Sequence, residues 1–197
     1  MDITEAIAKR RSIRKFLDKG IEPGDVEKIL QAGIMAPSAK NRQPWKFIVA
    51  GAKDREEMVR VMRGGLEREK QGAGLFKGAG QLLAWAEHTF RIMAEAPLTI
   101  FIINTGDKLR FELSPEEKFQ EMANIQSIGA SIQNMLLTAH ALGLGSLWIN
   151  DIYFAYRDLC SWLGTDQELI AAVSLGYPAE NPQQRPRKAL ETVVEWK

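Results

Sequence analysis

The chain has 197 residues, 45% of them hydrophobic, and a formal net charge of +1, which suits one globular domain over 1–197 with a core of ordinary size. Such a balance gives no long-range attraction to nucleic acid or to an anionic membrane, so anion recognition must come from local placement of cations. A single cysteine, Cys160, excludes an internal disulfide and a Cys-x-x-Cys redox pair and fits a reducing compartment, the cytoplasm.

The N-terminus, Met1-Asp2-Ile3-Thr4-Glu5, is acidic at once and predicts no secretory leader. A first helix capped by Asp2 or Thr4 carries Ile3, Ala6 and Ile7 on one face and delivers Arg10 and Arg11 to its end. Gly20 and Glu22-Pro23-Gly24 punctuate the chain before a second helix with Val26, Ile29, Leu30 and Gly33 at helical spacing, which ends at a loop around Pro37. Trp45, Phe47 and Val49 alternate as in a strand, and Asp54 is placed to cap a third helix bearing Met58, Val59 and Met62. From Arg63 to Gly80 the glycines Gly64, Gly65, Gly72, Gly74 and Gly78 interrupt any regular period. This predicts a mobile insert, either a lid over a pocket or a plain solvated loop.

Helical spacing returns from Leu82 to Met93, and Leu98 to Ile103 is a β-branched run expected as a buried central strand, too short to cross a bilayer. Ser114-Pro115-Glu116-Glu117 is a capping box opening the longest helix, whose residues Ile125, Ile128, Ile132, Met135, Leu136, Ala139 and Leu142 require burial on more than one side. A short strand at Ser146–Ile149, a helix near Phe154–Leu163 and a strand at Leu169–Leu175 follow. Leu190, Val193 and Val194 then resume a strand-like pattern in the tail.

Three segments carry chemistry. Arg10-Arg11-Ser12-Ile13-Arg14 and the tail's Arg185-Pro186-Arg187-Lys188 supply guanidinium forks suited to a phosphate, while Pro37-Ser38-Ala39-Lys40-Asn41-Arg42-Gln43-Pro44-Trp45 offers small side chains and exposed amides for a flat polar heterocycle. Other chemistries fare poorly. Gly143-Leu144-Gly145 follows a helix and precedes a strand, the reverse of a dinucleotide fingerprint. His88 and His140 lack a metal-ligating partner at useful spacing, and Cys160 lies among apolar neighbours as an inert buried thiol.

Together the three segments resemble the flavin mononucleotide (FMN) site of the nitroreductase family, and the resemblance runs nearly end to end. It implies an α+β sandwich, a mainly antiparallel sheet flanked by helices, assembled as an intertwined homodimer with two flavins at its interface. It implies that Arg10, Arg185 and Arg187 grip the phosphate, and that Arg11, Ser12 and Arg14 line the ribityl chain and pyrimidine edge. Leu147, Trp148 and Ile149 would lie along the ring, and Pro37, Ser38, Ala39, Asn41 and Gln43 would come from the opposite subunit. Asn150 stands where relatives often carry glycine or an acidic residue and is left out of the set, as is Arg63, a spatial guess for the pyrimidine edge.

The implied activity is two-electron transfer from NADH or NADPH, through FMN, to nitroaromatics, quinones or similar acceptors by a ping-pong mechanism, with no dedicated side-chain acid or base. One alternative is a specialised flavin enzyme of the same fold, dehalogenase-like or flavin-fragmenting. The dehalogenase lid needs glutamate, tyrosine and lysine, and the insert here has Glu67, Glu69 and Lys70 but no tyrosine. A non-catalytic flavin-binding sensor is the other alternative.

Overall fold

A computed structural model describes residues 2–76, 80–106 and 113–197. Four strands, β1 (Trp45–Ala50), β2 (Leu98–Asn104), β3 (Gly145–Ile149) and β4 (Glu168–Gly176), form one antiparallel sheet in the order β1-β2-β4-β3. The two central strands read as near-continuous apolar runs because both of their faces are covered. Ile100, Ile102, Ala171, Val173 and Leu175 pack on one side, Phe101, Ile103, Leu169 and Ala172 on the other. A register shift between Ile102 and Ile103 locally breaks the pairing of β2 with β4.

Helices α2 (Pro23–Ile34) and α5 (Pro115–Ala141) cover the first face, and α3 (Arg55–Lys70), α4 (Gly80–Glu95) and α6 (Tyr156–Trp162) the second. This is the expected α+β sandwich. The capping box of α5 is formed: Ser114 Oγ accepts from Glu117 N at 3.2 Å and Glu117 Oε2 accepts from Ser114 N at 2.9 Å. Ile128, Ile132, Met135 and Ala139 on α5 are wholly buried, yet Phe119, Met122 and Ile125 on the same helix are exposed, so a second apolar stripe stays uncovered in one chain. Among the described residues no helix is long and apolar enough to cross a membrane.

The structure corrects four expectations. Helix α3 continues through Gly64 and Gly65 to Lys70, because the stripe Met58, Met62, Leu66 and Glu69 is buried and Gly65 lets the helix lie against Ala155. The link that follows is pinned as well: the buried Glu69 carboxylate accepts from Leu75 N and Phe76 N at 2.6 and 3.0 Å, and Phe76 packs on Phe154 at 5.0 Å between ring centroids. Gly78 and Ala79 of the expected insert lie outside the described residues, while α4 begins at Gly80. Asp54 occupies the N-cap of α3, but its carboxylate accepts from Gly51 N, upstream of the helix, at 3.0 Å. The tail forms a single 3-10 turn at Leu190–Thr192 rather than a strand, since no sheet edge reaches it. Cys160 is half-buried rather than buried, and burial pushes its thiol above the ordinary pKa.

Candidate functional site

Helix α1 (Ile3–Lys9) starts where Asp2 Oδ1 accepts from Glu5 N at 2.9 Å, and its short length fixes Arg10 as the C-cap. The chain then runs extended. Ser12 pairs with Ser146 in a parallel bridge, and Ile13 N donates to Ser146 O at 3.0 Å. Ile13 is seated so tightly on Gly145 that a Cβ there would fall 2.8 Å from its side chain. Farther on, Leu17 N donates to Tyr177 O and Ala179 N to Lys15 O, each at 2.9 Å. The N-terminal arm is thus zipped between the start of β3 and the tail leaving β4.

That zipper gathers cations from both ends of the chain. Arg11 folds back onto Ala8 O at 2.7 Å and Arg10 O at 2.9 Å, and reaches Gln184 Oε1 at 3.3 Å. Burial, followed by the nearby positive charges of Arg187 and Arg11, holds the Arg10 guanidinium below its ordinary pKa. Arg10, Arg11 and Arg187 therefore share one electrostatic neighbourhood, and none of them is ion-paired among the described residues. Arg185 is exposed, and its carbonyl accepts from Arg187 Nη1 at 3.2 Å. His140, in the last turn of α5, faces the same cluster. Burial and then Arg10 and Arg11 lower its pKa, Glu5 opposing, and its buried Nε2 has no hydrogen-bond partner among the described residues.

Beside the cluster, β3 presents an edge. Ser146 turns its carbonyl to Ile13 and away from β4, and strand alternation turns the backbone N–H and C=O of Trp148 the same way. A cleft of about 280 Å³ opens there, lined by Arg14, Leu147, Trp148, Ile149 and Asn150, with Thr89 and Asp151 across from them. Leu147 and Ile149 point into the core, whereas Trp148 is 40% exposed. Arg14 N donates to Glu180, and its Nη1 lies 3.3 Å from Ser12 O. The Thr89 hydroxyl donates to the Asp151 carboxylate, tying α4 to the end of β3.

The loop before β1 is built differently. Lys40, Asn41 and Gln43 have φ of 54°, 54° and 50°; the left-handed region costs about 1–2 kcal/mol for side chains such as those of Lys40 and Gln43 and less for asparagine. Ser38 Oγ accepts from Gln43 N at 3.0 Å, Ala39 N donates to Ser127 Oγ on α5 at 3.3 Å, and the Asn41 and Gln43 side chains meet at 3.3 Å. Pro37 is exposed. None of these residues lines the Arg14 cleft, so one chain does not bring this loop to it.

The structure brings Arg10, Arg11 and Arg187 into one neighbourhood and sets Arg14, Leu147, Trp148 and Ile149 along one cleft, which Asn150, left out of the expected set, also lines. Arg63 lies elsewhere, between α3 and α4. Thr89, Asp151, Glu180 and Gln184 were missed, because each reaches the site through tertiary pairing that no local pattern announces.

The sequence pattern of the Nitroreductase family matches residues 7–177. An Archaeoglobus fulgidus protein provisionally named NADH dehydrogenase/NAD(P)H nitroreductase is 33% identical over 181 residues, covering 88% of this chain and 84% of that protein. A like-named protein of Methanothermobacter thermautotrophicus is 32% identical over 192 residues, 94% of this chain and 82% of that one. A provisionally named nitroreductase from Desulfovibrio desulfuricans, solved in complex with FMN, is 29% identical with a TM-score of 0.74, covering 100% of this chain and 97% of that one. A BluB-like flavoprotein from Clostridium difficile, 24% identical with a TM-score of 0.80 over 100% and 99% of the two chains, shares the fold. With the family's pattern running from α1 to the residue after β4, and with relatives matched over most of their length, the chain belongs to the nitroreductase family.

Proposed function

We propose that this chain is an FMN-dependent oxidoreductase carrying two electrons from NADH or NADPH to a nitroaromatic, quinone or other electron-poor acceptor. The observation that carries the reading is the convergence, beside an open strand edge, of three guanidinium groups that have no ion-pair partner among the described residues. The residues present fit the cofactor. A phosphate dianion would relieve the repulsion among Arg10, Arg11 and Arg187, and the outward Trp148 N–H offers a donor to a heterocycle lying along β3. FMN, when bound, supplies the two-electron chemistry.

On this reading Arg10, Arg185 and Arg187 would hold the phosphate, and Arg11 and Ser12 would line the ribityl chain. Arg14, which lines the cleft, would set a cation at the pyrimidine edge, where it would favour negative charge on the reduced ring. Leu147, Trp148 and Ile149 form the wall along the ring, and the Thr89–Asp151 hydrogen bond fixes the opposite wall. Pro37, Ser38, Ala39, Asn41 and Gln43 come from a second copy, making a homodimer. The exposed apolar residues Ile3, Ile7, Phe119, Met122, Leu190 and Trp196 support an extensive contact between copies. The Desulfovibrio desulfuricans complex with FMN and a Vibrio harveyi relative named NADPH-flavin oxidoreductase, 26% identical over 194 residues, also favour this cofactor and donor.

With one cleft for both substrates, donor and acceptor alternate in it, and steady-state lines at varied acceptor run parallel. The test is anaerobic addition of NADH or NADPH to the purified protein, followed by a nitroaromatic. Bleaching of the flavin absorbance and its return are expected. A protein that retains FMN yet is bleached by neither nicotinamide would be a binder and not an oxidoreductase.

A further inference from the structure

Helix α4 separates two cavities. Thr89 faces the β3 cleft, while Glu87, Phe90, Arg91 and Ala94, at the spacing of a single stripe, line a cavity of about 480 Å³ between α4 and α3. At 100° per residue Thr89 lies on the opposite side of the helix from that stripe. The floor of the second cavity is apolar: Met62, Leu66 and Phe90 are 1%, 5% and 6% exposed. Its volume falls in the range of small-molecule sites.

The charges around it are unevenly used. Lys70 Nζ lies 2.8 Å from Glu67 and 2.7 Å from Glu87, a clasp joining the two helices in which both carboxylates are engaged. Arg91 sits one turn beyond Glu87 and adds to the positive potential there. Arg63, exposed at the mouth and shared with an adjoining hollow along α3, makes no hydrogen bond or ion pair among the described residues. A cation as ligand would find its carboxylate partners already taken by Lys70, whereas an anion would find a free guanidinium above an apolar floor.

We propose that the α3–α4 cavity binds a small amphiphilic carboxylate, its apolar body on Met62, Leu66 and Phe90 and its carboxylate on Arg63, with Arg91 as the second cation. The site is distinct from the β3 cleft and does not depend on the cofactor assigned there.

Calorimetric titration of the full-length protein as purified, with octanoate as probe and octylamine as the matched cation, tests this. Octanoate binds one per chain, octylamine at least about tenfold more weakly, and Arg63→Gln weakens octanoate about tenfold, the loss of one charge-assisted hydrogen bond. Arg91→Gln weakens it less, and octanoate leaves FMN affinity unchanged. Both arginines are exposed, so the variants keep the fold, which circular dichroism verifies. Equal binding of octanoate and octylamine, full affinity in Arg63→Gln, no octanoate binding at millimolar concentration, or competition with FMN would each overturn the proposal.

Discussion

Replacing Arg10 and Arg187 in turn separates a phosphate grip from general stabilisation of the tail. Arg10 is half-buried and is held below its ordinary pKa first by burial and then by Arg187, so it meets an anion in a partly desolvated setting. A charge-assisted hydrogen bond there belongs at the upper end of its range, about 3 kcal/mol, or roughly a hundredfold in Kd. Arg187 is exposed and, among the described residues, donates to the backbone carbonyls of Arg185 and Pro186, and its loss should cost about 1.5 kcal/mol, near tenfold. Removing Arg187 also relieves Arg10, so the double variant should lose less than the sum of the two. Fluorescence titration with FMN and with riboflavin, which lacks the phosphate, reads the difference directly. Riboflavin affinity should barely move in any variant; equal losses for both ligands, or none for either, would refute the phosphate assignment.

Three further outcomes follow from the packing and the charges. A Cβ at Gly65 would lie 2.4 Å from Ala155 Cβ and 2.5 Å from its Cα, so Gly65→Ala should destabilise the protein by about 1–3 kcal/mol by calorimetry despite its better helix propensity; an unchanged Tm would contradict the contact. His140 has a folded pKa below its unfolded value near 6.5, so the unfolded state takes up the proton first and stability falls as pH drops through that value toward the folded one. Urea midpoints should show this loss in the wild type and a flatter profile in His140→Gln; identical profiles would remove the histidine from the account. Sedimentation should find a homodimer at micromolar concentration, and a well-folded, flavin-loaded monomer would defeat the shared-site reading.

Where a physical signal is local, it was readable. The alternation of Trp45, Phe47 and Val49, the unbroken run of β2 and the Ser114–Glu117 box each depend on a few neighbouring residues. Gly64-Gly65 misled because glycine pairs usually break helices, and only the approach of Ala155, 90 positions on, explains why α3 tolerates them. The hydrophobic residues of the tail suggested a strand, but alternation without a sheet edge to accept it leaves a turn. The site shows the same division. The arginine cluster could be seen as a composition of cations, whereas the pairing of Lys15 with Ala179 and Ser12 with Ser146, which aligns Glu180 with Arg14 and Gln184 with Arg11, arises from two isolated contacts that no sequence period marks.

The left-handed loop makes the strongest link between local conformation and the proposed assembly. Three positive-φ residues within four positions, Lys40 and Gln43 among them, represent about 2–4 kcal/mol that the rest of the fold must offset, and such conformations persist where surrounding contacts over-determine them. Among the described residues of one chain the supports are the turn hydrogen bonds from Asn41 N to Ser38 O at 3.0 Å and Arg42 N to Ala39 O at 3.2 Å, the Ser38 and Ser127 hydroxyls, a long contact between the Asn41 and Gln43 side chains, and the anchor from Thr105 N to Pro44 O at 3.0 Å. Those supports hold the loop's backbone in its turn, while Ala39, Lys40 and Asn41 stay exposed. A surface loop held in this shape for its own stability would gain from glycine at Lys40 or Asn41, which adopts positive φ without the Cβ penalty. Asparagine tolerates such a conformation better than most side chains, and Asn41, whose Oδ1 accepts from Gln43 Nε2 at 3.3 Å, keeps its amide at the exposed tip of the loop for a further polar partner. On the proposed dimer that partner is the flavin held by Arg10, Arg11 and Arg14 of the other copy, and the strain is then the cost of presenting the amide.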